Sequence, residues 1–275
     1  MFQYAFYLSL KNKVEDLNVD LSFFYINNQH NGYELDKLFG LNLNKINCPN
    51  SYFNSNLIKK ILKRVRREIL IEKIIQDNFK YQDLSLILNK NNIYLNGYWQ
   101  SEKYFKNIES KIRELYKFPA INEENNLELL EEIKELETVS IHIRRGDYIG
   151  HPELDGLAPI KYYENSIKYI KSKVKNPVFL IFSNDIEWCK ENLQLNDEQV
   201  YYVDWNIKEN SFRDMQLMSL CKHNIIPNSS FSWWGAWLNR NPRKIVIAPE
   251  KWFTDESKLP YKDIVPEEWI KIKNY

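Results

Sequence analysis

The sequence predicts an α/β protein built on a doubly wound parallel sheet. Three observations predict it. Beyond residue 138, strand-like and helical runs alternate, the order that builds a parallel sheet with helices on both faces. Val178-Phe179-Leu180-Ile181-Phe182 is apolar throughout, as a parallel strand covered on both faces should be. The stretch Thr138 to Tyr148 opens as a strand, with Val139, Ile141 and Ile143 alternating with Ser140 and His142, and closes as a charged turn, Arg144-Arg145-Gly146-Asp147.

Taken in order, Met1 to Lys13 reads as an apolar helix with nothing before it to cap it. Leu21 to Ile26 reads as a strand, and Tyr33 to Phe39 as a short helix ended by Gly40. Leu57 to Ile75 predicts an amphipathic helix. Leu57, Ile58, Ile61, Leu62, Val65, Ile69 and Ile71 form its apolar stripe, and Lys59, Lys60, Lys63, Arg64, Arg66 and Arg67 its basic face. Such a face is ordinarily solvated; its functional reading is docking on an anionic membrane surface or a lipid-linked substrate. Ile93-Tyr94-Leu95 is a short strand, and Ser101 caps a helix running to about Tyr116, stopped by Pro119. Glu123 to Glu137 is an acidic helix. After the central strand come a helix over Lys161–Lys171, the strand at 178–182, and a helix over Ile186–Asn192. There follow a strand over Val200–Val203, a helix over Ser211–Lys222, a strand over Asn224–Pro227, a helix over Phe231–Leu238 and a last strand over Ile245–Ala248. Two domains and a tail are expected: an N-terminal domain over 1–120, a C-terminal domain over 121–255, and a C-terminal tail over 256–275.

Composition narrows the function classes. At 275 residues and 44% hydrophobic content the chain can fill a large core or two ordinary ones. A net charge of +1 gives no bulk attraction to nucleic acid. Cys48, Cys189 and Cys221 are too few and too scattered for a disulfide framework or a zinc site, which fits a reducing compartment. No stretch reaches the length of a membrane span, and the first ten residues show no basic leader or cleavage site. The expected location is the cytoplasm, with peripheral contact at the inner face of the membrane through 57–75.

Three strand ends fall on one rim of the predicted sheet. They carry His142 with Arg144-Arg145-Gly146-Asp147, then Ser183-Asn184-Asp185, then Asn228-Ser229-Ser230 at the start of a helix. Ligands of open α/β sheets bind just beyond the carboxyl ends of strands. A guanidinium fork and a helix N-terminus both suit a diphosphate. For Arg144 and Asp147 the plain alternative is a surface ion pair. For Ser183, Asn228, Ser229 and Ser230 it is helix capping. Asp214 lies three residues after Ser211, the spacing of a capping box; alternatively it accepts hydrogen bonds from a purine edge. A dinucleotide fingerprint, a phosphate loop and an Asp-x-Asp metal motif are all missing from the sequence, which disfavours those three classes.

Four motifs then carry a resemblance: Met1-Phe2-Gln3-Tyr4-Ala5, Gly97-Tyr98-Trp99-Gln100-Ser101-Glu102-Lys103-Tyr104-Phe105, His142-Ile143-Arg144-Arg145-Gly146-Asp147-Tyr148 and Asn228-Ser229-Ser230-Phe231-Ser232-Trp233-Trp234-Gly235-Ala236-Trp237-Leu238. In this order, from Met1 to about Trp252, the chain resembles bacterial α-1,2-fucosyltransferases of glycosyltransferase family 11. The resemblance implies a GT-B architecture, two Rossmann-like domains facing across a cleft. It implies inverting transfer of L-fucose from GDP-fucose to the 2-hydroxyl of a galactose-type residue in a surface glycan such as an O-antigen, without a metal. GDP-fucose is a co-substrate, so no cofactor is expected, and the acceptor could be lipid-linked.

The resemblance assigns roles residue by residue. Arg144 grips the donor pyrophosphate with Arg145 in support, Asp214 reads guanine with His142 beside the base, and Ser183, Asn228, Ser229 and Ser230 complete the donor site. Asp147 is either the base that takes the acceptor proton or the group that orients an arginine. In the family a strand and a Gly-Gly-x-Gly-Asn-Gln loop precede the Met-Phe-Gln-Tyr-Ala motif, and this sequence starts at that methionine. The expectation is a start lying upstream or an N-terminal domain without that strand and loop. Competing readings are a GDP-sugar-binding homologue without transfer activity, a same-fold transferase for another donor or acceptor, and a carbohydrate-binding module suggested by the aromatic content of 15%.

Overall fold

The computed structural model describes residues 1–11, 13–21, 24, 32–41, 43, 45–46, 72–76, 78–85, 88, 93–195 and 198–275. These residues divide into two compact units, Met1–Lys117 and Phe118–Tyr275.

The N-terminal unit is organised by α1 (Phe2–Lys11), which is buried along almost its whole length. Its aromatic side chains make the core: the Phe6 ring lies 4.6 Å from Trp99 and 5.0 Å from Tyr104, and Tyr4 lies 6.1 Å from Tyr116. Two short parallel pairs accompany it. One joins β1 (Val19–Asp20) to β2 (Lys45–Ile46). Between them α2 (Leu35–Phe39) ends at Gly40 in the left-handed region, φ 62°, as the glycine led us to expect. The other pair joins β3 (Glu72–Ile75) to β4 (Ile93–Asn96).

Strand β3 corrects the helix expected to run to Ile75. Residues 72–75 pair with β4 instead, because Ile74 and Ile75 find a sheet partner that outweighs the helical period. The expected helix over 57–71, the strand over most of 21–26, and Cys48 lie outside the described residues. The helix expected from Ser101 to Tyr116 is also revised. Ser101 does accept a bond from Lys103 N, but it opens a 3-10 turn over Glu102–Tyr104. A second such turn, Lys106–Ile108, precedes α3 (Glu109–Leu115). Phe105 leaves helical geometry between the turns, φ −140°, and its side chain is fully buried.

The C-terminal unit holds the parallel sheet. After α4 (Glu124–Ile133) come β5 (Glu137–Ile143), α5 (Ile160–Lys173), β6 (Pro177–Ser183), α6 (Ile186–Asn192) and β7 (Val200–Val203). The chain then continues through α7 (Phe212–Leu220), β8 (His223–Ile225), α8 (Ser230–Leu238), β9 (Val246–Pro249) and β10 (Ile270–Ile272). The six strands lie in the order β10-β9-β8-β5-β6-β7, all neighbours parallel. Glu137, expected as the last residue of a helix, is the first residue of β5 and pairs with Pro177. Residues 256–275, expected as a tail, carry β10, which extends the sheet beside β9.

Alternation along β5 sorts the core into two layers. Val139, Ile141 and Ile143 face a cluster with Tyr162, Tyr163 and Ile170 of α5 and Ile186 and Cys189 of α6. On the other side of the sheet, Leu180 and Phe182 of β6 pack with Leu129 and Ile133 of α4 and Leu217 and Met218 of α7. The result is a three-layer, Rossmann-like α/β/α unit.

The strand order reverses at β5. From β5 the chain winds outward to β6 and β7, then crosses back to β8 and winds the other way to β9 and β10. The crevice between the carboxyl ends of β5 and β8 is therefore the topological switch point, the place where such sheets bind ligands.

Candidate functional site

The turn after β5 and the turn after β8 meet at that switch point. Three tyrosines of one sequence neighbourhood tie them down. Tyr148 Oη donates to Asn228 O at 3.2 Å, joining the two turns directly. Beneath them, Tyr162 Oη donates to Ile226 O at 2.6 Å and Tyr163 Oη to His142 O at 3.2 Å. Both tyrosines sit at the start of α5 and are fully buried, so the strand-end carbonyls they satisfy are fixed in place.

The two arginines are held differently. Arg144 forms a fork with Asp147, Nε to Oδ1 at 2.7 Å and Nη2 to Oδ2 at 3.0 Å, with both side chains partly exposed. Arg145 is braced by the β6–α6 connection. Its Nε donates to Asp185 Oδ2 at 3.0 Å, its backbone N donates to Asn184 Oδ1 at 3.0 Å, and its guanidinium lies 4.0 Å above the Trp188 ring. Asp185 also caps α6 by accepting from Trp188 N at 3.3 Å. A Cβ at Gly146 would stand 2.3 Å from Asn184 Nδ2, so a side chain there would push aside the amide that accepts from Arg145 N.

Ser183 serves the same connection locally: its hydroxyl accepts from Asp185 N at 3.0 Å. Asn228 is buried, and its amide donates to Trp252 O at 3.2 Å and Leu154 O at 3.4 Å, bracing the turn. Ser229 is the N-cap residue of α8 in extended conformation, without a side-chain cap bond, and Ser230 is exposed as its first residue. The N-terminal N–H groups of α8 therefore open onto the rim where Arg144 stands.

His142 is buried under the turn, its ring 5.8 Å from Phe231. Its Nδ1 has no hydrogen-bond partner among the described residues. Burial, then the neighbouring Arg144 charge, push its pKa down to about 3, so the imidazole is neutral at physiological pH.

Asp214 lies in the first turn of α7, beside α8. The two helices touch closely at Gly235, where a Cβ would meet Met218 Cβ at 2.9 Å. The capping-box alternative is not realised: Ser211 has helical dihedrals and makes no side-chain cap bond. Instead Asp214 Oδ1 accepts from Asn206 Nδ2 at 2.9 Å. Loss of hydration raises the carboxyl pKa to about 7, offset in part by that bond.

The structure thus gathers His142, Arg144, Arg145, Asp147, Asn228, Ser229 and Ser230 at the switch point, with Ser183 in the adjoining strand turn. It puts Asp214 in the first turn of the helix packed beside α8. Sequence reasoning missed Trp188 and Tyr148 as bracing groups and Asn206 as the partner of Asp214. A Tyr directly after the charged turn was a usable signal; Asn206 stands in no motif. Among the described residues, no group of three or more His, Cys, Asp or Glu side chains is placed to hold a metal ion, and no helix is long and apolar enough to cross a membrane.

Comparison with known proteins agrees on one family. The sequence profile of Glycosyl transferase family 11 matches residues 58–273. An alpha-1,2-colitosyltransferase of Escherichia coli is 36% identical over 283 aligned residues, covering 99% of this chain and 94% of that protein. The O-antigen biosynthesis glycosyltransferase WbnK of Escherichia coli is 38% identical over 66% of this chain and 62% of its own length. A galactoside alpha-(1,2)-fucosyltransferase 2 of Sus scrofa is 29% identical over 36% of this chain and 30% of its own length.

Proposed function

The chain belongs to glycosyltransferase family 11, and from that membership we propose that it transfers L-fucose from GDP-fucose, with inversion, to the 2-hydroxyl of a galactose-type residue in a surface glycan. The observation that carries this reading is the switch point itself: an exchangeable arginine and an open helix N-terminus at adjoining strand ends of a parallel sheet. That pairing is what a leaving diphosphate needs.

In this reading the acceptor hydroxyl attacks the anomeric carbon as the bond to the β-phosphate oxygen breaks. Arg144 and the N–H groups at the start of α8 stabilise the charge that develops on that phosphate. Arg145 stays in its brace and sets the position of the turn. Ser229 and Ser230 bring their backbone to the phosphates, while Ser183 and Asn228 hold the two turns. Asp214 accepts from the N–H groups of guanine, and the neutral His142 lies beside the base. Both Asp147 oxygens are engaged by Arg144, which favours orientation of that arginine over proton abstraction.

The two compact units are read as the halves of a GT-B enzyme, the first serving the acceptor and the second the donor. The basic residues between Lys59 and Arg67 support an acceptor on an anionic lipid carrier, and a cytoplasmic site of action next to the membrane. Colitose is fucose without its 3-hydroxyl, so the 36% identity to a colitosyltransferase favours a second donor reading, GDP-colitose.

The test is transfer from GDP-fucose and from GDP-colitose to a panel of β-galactosides, with and without EDTA. Transfer of fucose to O2 in EDTA supports the main reading. Transfer of colitose alone would replace the donor, and GDP binding without transfer of either sugar would reduce the protein to a donor-binding homologue.

A further inference from the structure

The buried polar groups that the proposed reaction leaves unused converge on one carboxylate. Asn126 of α4 is fully buried, and Asn206, in the segment after β7, nearly so. Their amides bond reciprocally: Asn126 Nδ2 donates to Asn206 Oδ1 at 2.9 Å, and Asn206 Nδ2 to Asn126 Oδ1 at 3.1 Å. Trp205 Nε1 donates to the same Asn126 Oδ1 at 2.7 Å. The other hydrogen of Asn206 Nδ2 goes to Asp214 Oδ1.

The direction of this chain is forced. An indole N–H can only donate, so the oxygen of Asn126 must face Trp205. The reciprocal pair then turns Nδ2 of Asn206 outward, and Asp214 Oδ1 must accept. The carboxylate is held in one plane by a donor that cannot reverse. No cation lies within ion-pair distance of it among the described residues. Its Oδ2, and the second lone pair of Oδ1, are left for a ligand that brings N–H donors.

We propose that Trp205, Asn126 and Asn206 form a positioning relay that fixes the carboxylate plane of Asp214 for two-point reading of the N1–H and 2-amino edge of guanine. The relay rests on the reading of Asp214 as the guanine acceptor. It makes base selection depend on three side chains that never touch the nucleotide.

The test measures binding of GDP, IDP and ADP to the full chain by calorimetry. IDP keeps N1–H and lacks the 2-amino group, so the GDP-to-IDP ratio reports the two-point contact. Expected is a fall in that ratio of about tenfold in Asn206→Ala and about threefold in Trp205→Phe, which removes only the indole N–H, with ADP affinity unchanged. Asp214→Ala should abolish the preference. If Asp214→Ala keeps the wild-type ratio, the guanine reading itself falls, and the relay with it. If Asp214→Ala loses the ratio while Asn206→Ala and Trp205→Phe keep it, only the relay is overturned. An equal loss for all three nucleotides in the relay variants would make these residues a structural strut and would overturn the relay too.

Discussion

Asp214→Asn should stabilise the protein at every pH above about 4, with the full gain reached above pH 7. The carboxyl pKa moves from 3.8 to about 7 on folding because the group loses water and gains one hydrogen bond. The sign follows from linkage. A group whose folded pKa is raised holds its proton more tightly when folded, so its contribution is fully present below pH 4, falls steadily between pH 4 and pH 7, and is lost above 7. A change of about three units, at about 1.4 kcal/mol each, makes the cost of the ionised form at most about 4 kcal/mol above pH 7. Asparagine keeps an oxygen for Asn206 Nδ2, and the raised pKa already includes that bond to the charged form. The net gain at pH 8 is therefore at most about 4 kcal/mol, a rise in Tm on the order of 10 °C. Near pH 4 wild type and variant should melt together. Thermal melts followed by circular dichroism at pH 4, 6 and 8 provide the assay. A variant that is less stable at pH 8, or equally shifted at every pH, would refute the argument that dehydration of this carboxyl stores free energy. The stored cost also has a use: N–H donors of a bound base would repay it, so GDP binding near pH 6.5 should release more protons in wild type than in Asp214→Asn, where the phosphate alone contributes.

Other outcomes follow from the same geometry. Arg144→Ala should abolish transfer and weaken GDP binding by about 10- to 100-fold, read by turnover and calorimetry; near-normal values for both would remove Arg144 from the donor site. Trp188→Ala removes the face on which Arg145 rests and should raise the donor KM severalfold; it should also lower Tm by several degrees, since the indole packs against the core cluster of β5, α5 and α6. An unchanged KM would mean that the brace does not hold the turn in register. Gly235→Val places side-chain atoms where even a Cβ lies 2.9 Å from Met218 Cβ, and should cost about 1–3 kcal/mol in urea unfolding as α7 and α8 are forced apart. No loss there would show that the two helices slide freely.

The fold was legible where a single local rule decided it. The unbroken apolar run at 178–182 could only suit a strand covered twice, and its bounds came within a residue. The helix at 186–192 was announced by Asp185 at its N-cap and came out residue for residue. The reading failed where a partner elsewhere in the chain decided. Ile270-Lys271-Ile272 carries almost no signal and becomes β10 because β9 offers it a free edge. Glu72 to Ile75 kept a helical period yet paired with β4. Phe105 broke a good helical pattern because its ring is needed in the core. The site divides the same way. Arg144, Arg145 and Asp147 are visible because charge crowds against a strand end. Ser211 and Asp214 have the spacing of a capping box and do not form one. The true partner of Asp214, Asn206, is itself tied to Asn126, 80 residues away, and no spacing rule connects them.

Two adjacent arginines at one strand end invite a single role, and the geometry argues for two. Arg145 is held on three sides, by a carboxylate, by an aromatic face and through its own backbone N–H. Moving its guanidinium out of that brace to follow a ligand would break the contacts to Asp185 and Trp188 together. Arg144 is held by a carboxylate three residues away, in a pair open to water. The Tyr148 ring centre lies 5.8 Å from its guanidinium carbon, a longer approach than the 4.0 Å of Arg145 to Trp188. Exposed pairs of that kind contribute about 0–1 kcal/mol, while a diphosphate in a partly dry crevice offers charge-assisted bonds of about twice the ordinary strength. The trade therefore favours the ligand at Arg144 and opposes it at Arg145. A site that must bind a dianion and later release it needs one cation free to change partners and a second that never does. The sequence Arg144-Arg145-Gly146-Asp147 supplies both, because Asp147 reaches back to the first arginine with both oxygens while Gly146 lets Asn184 close over the second.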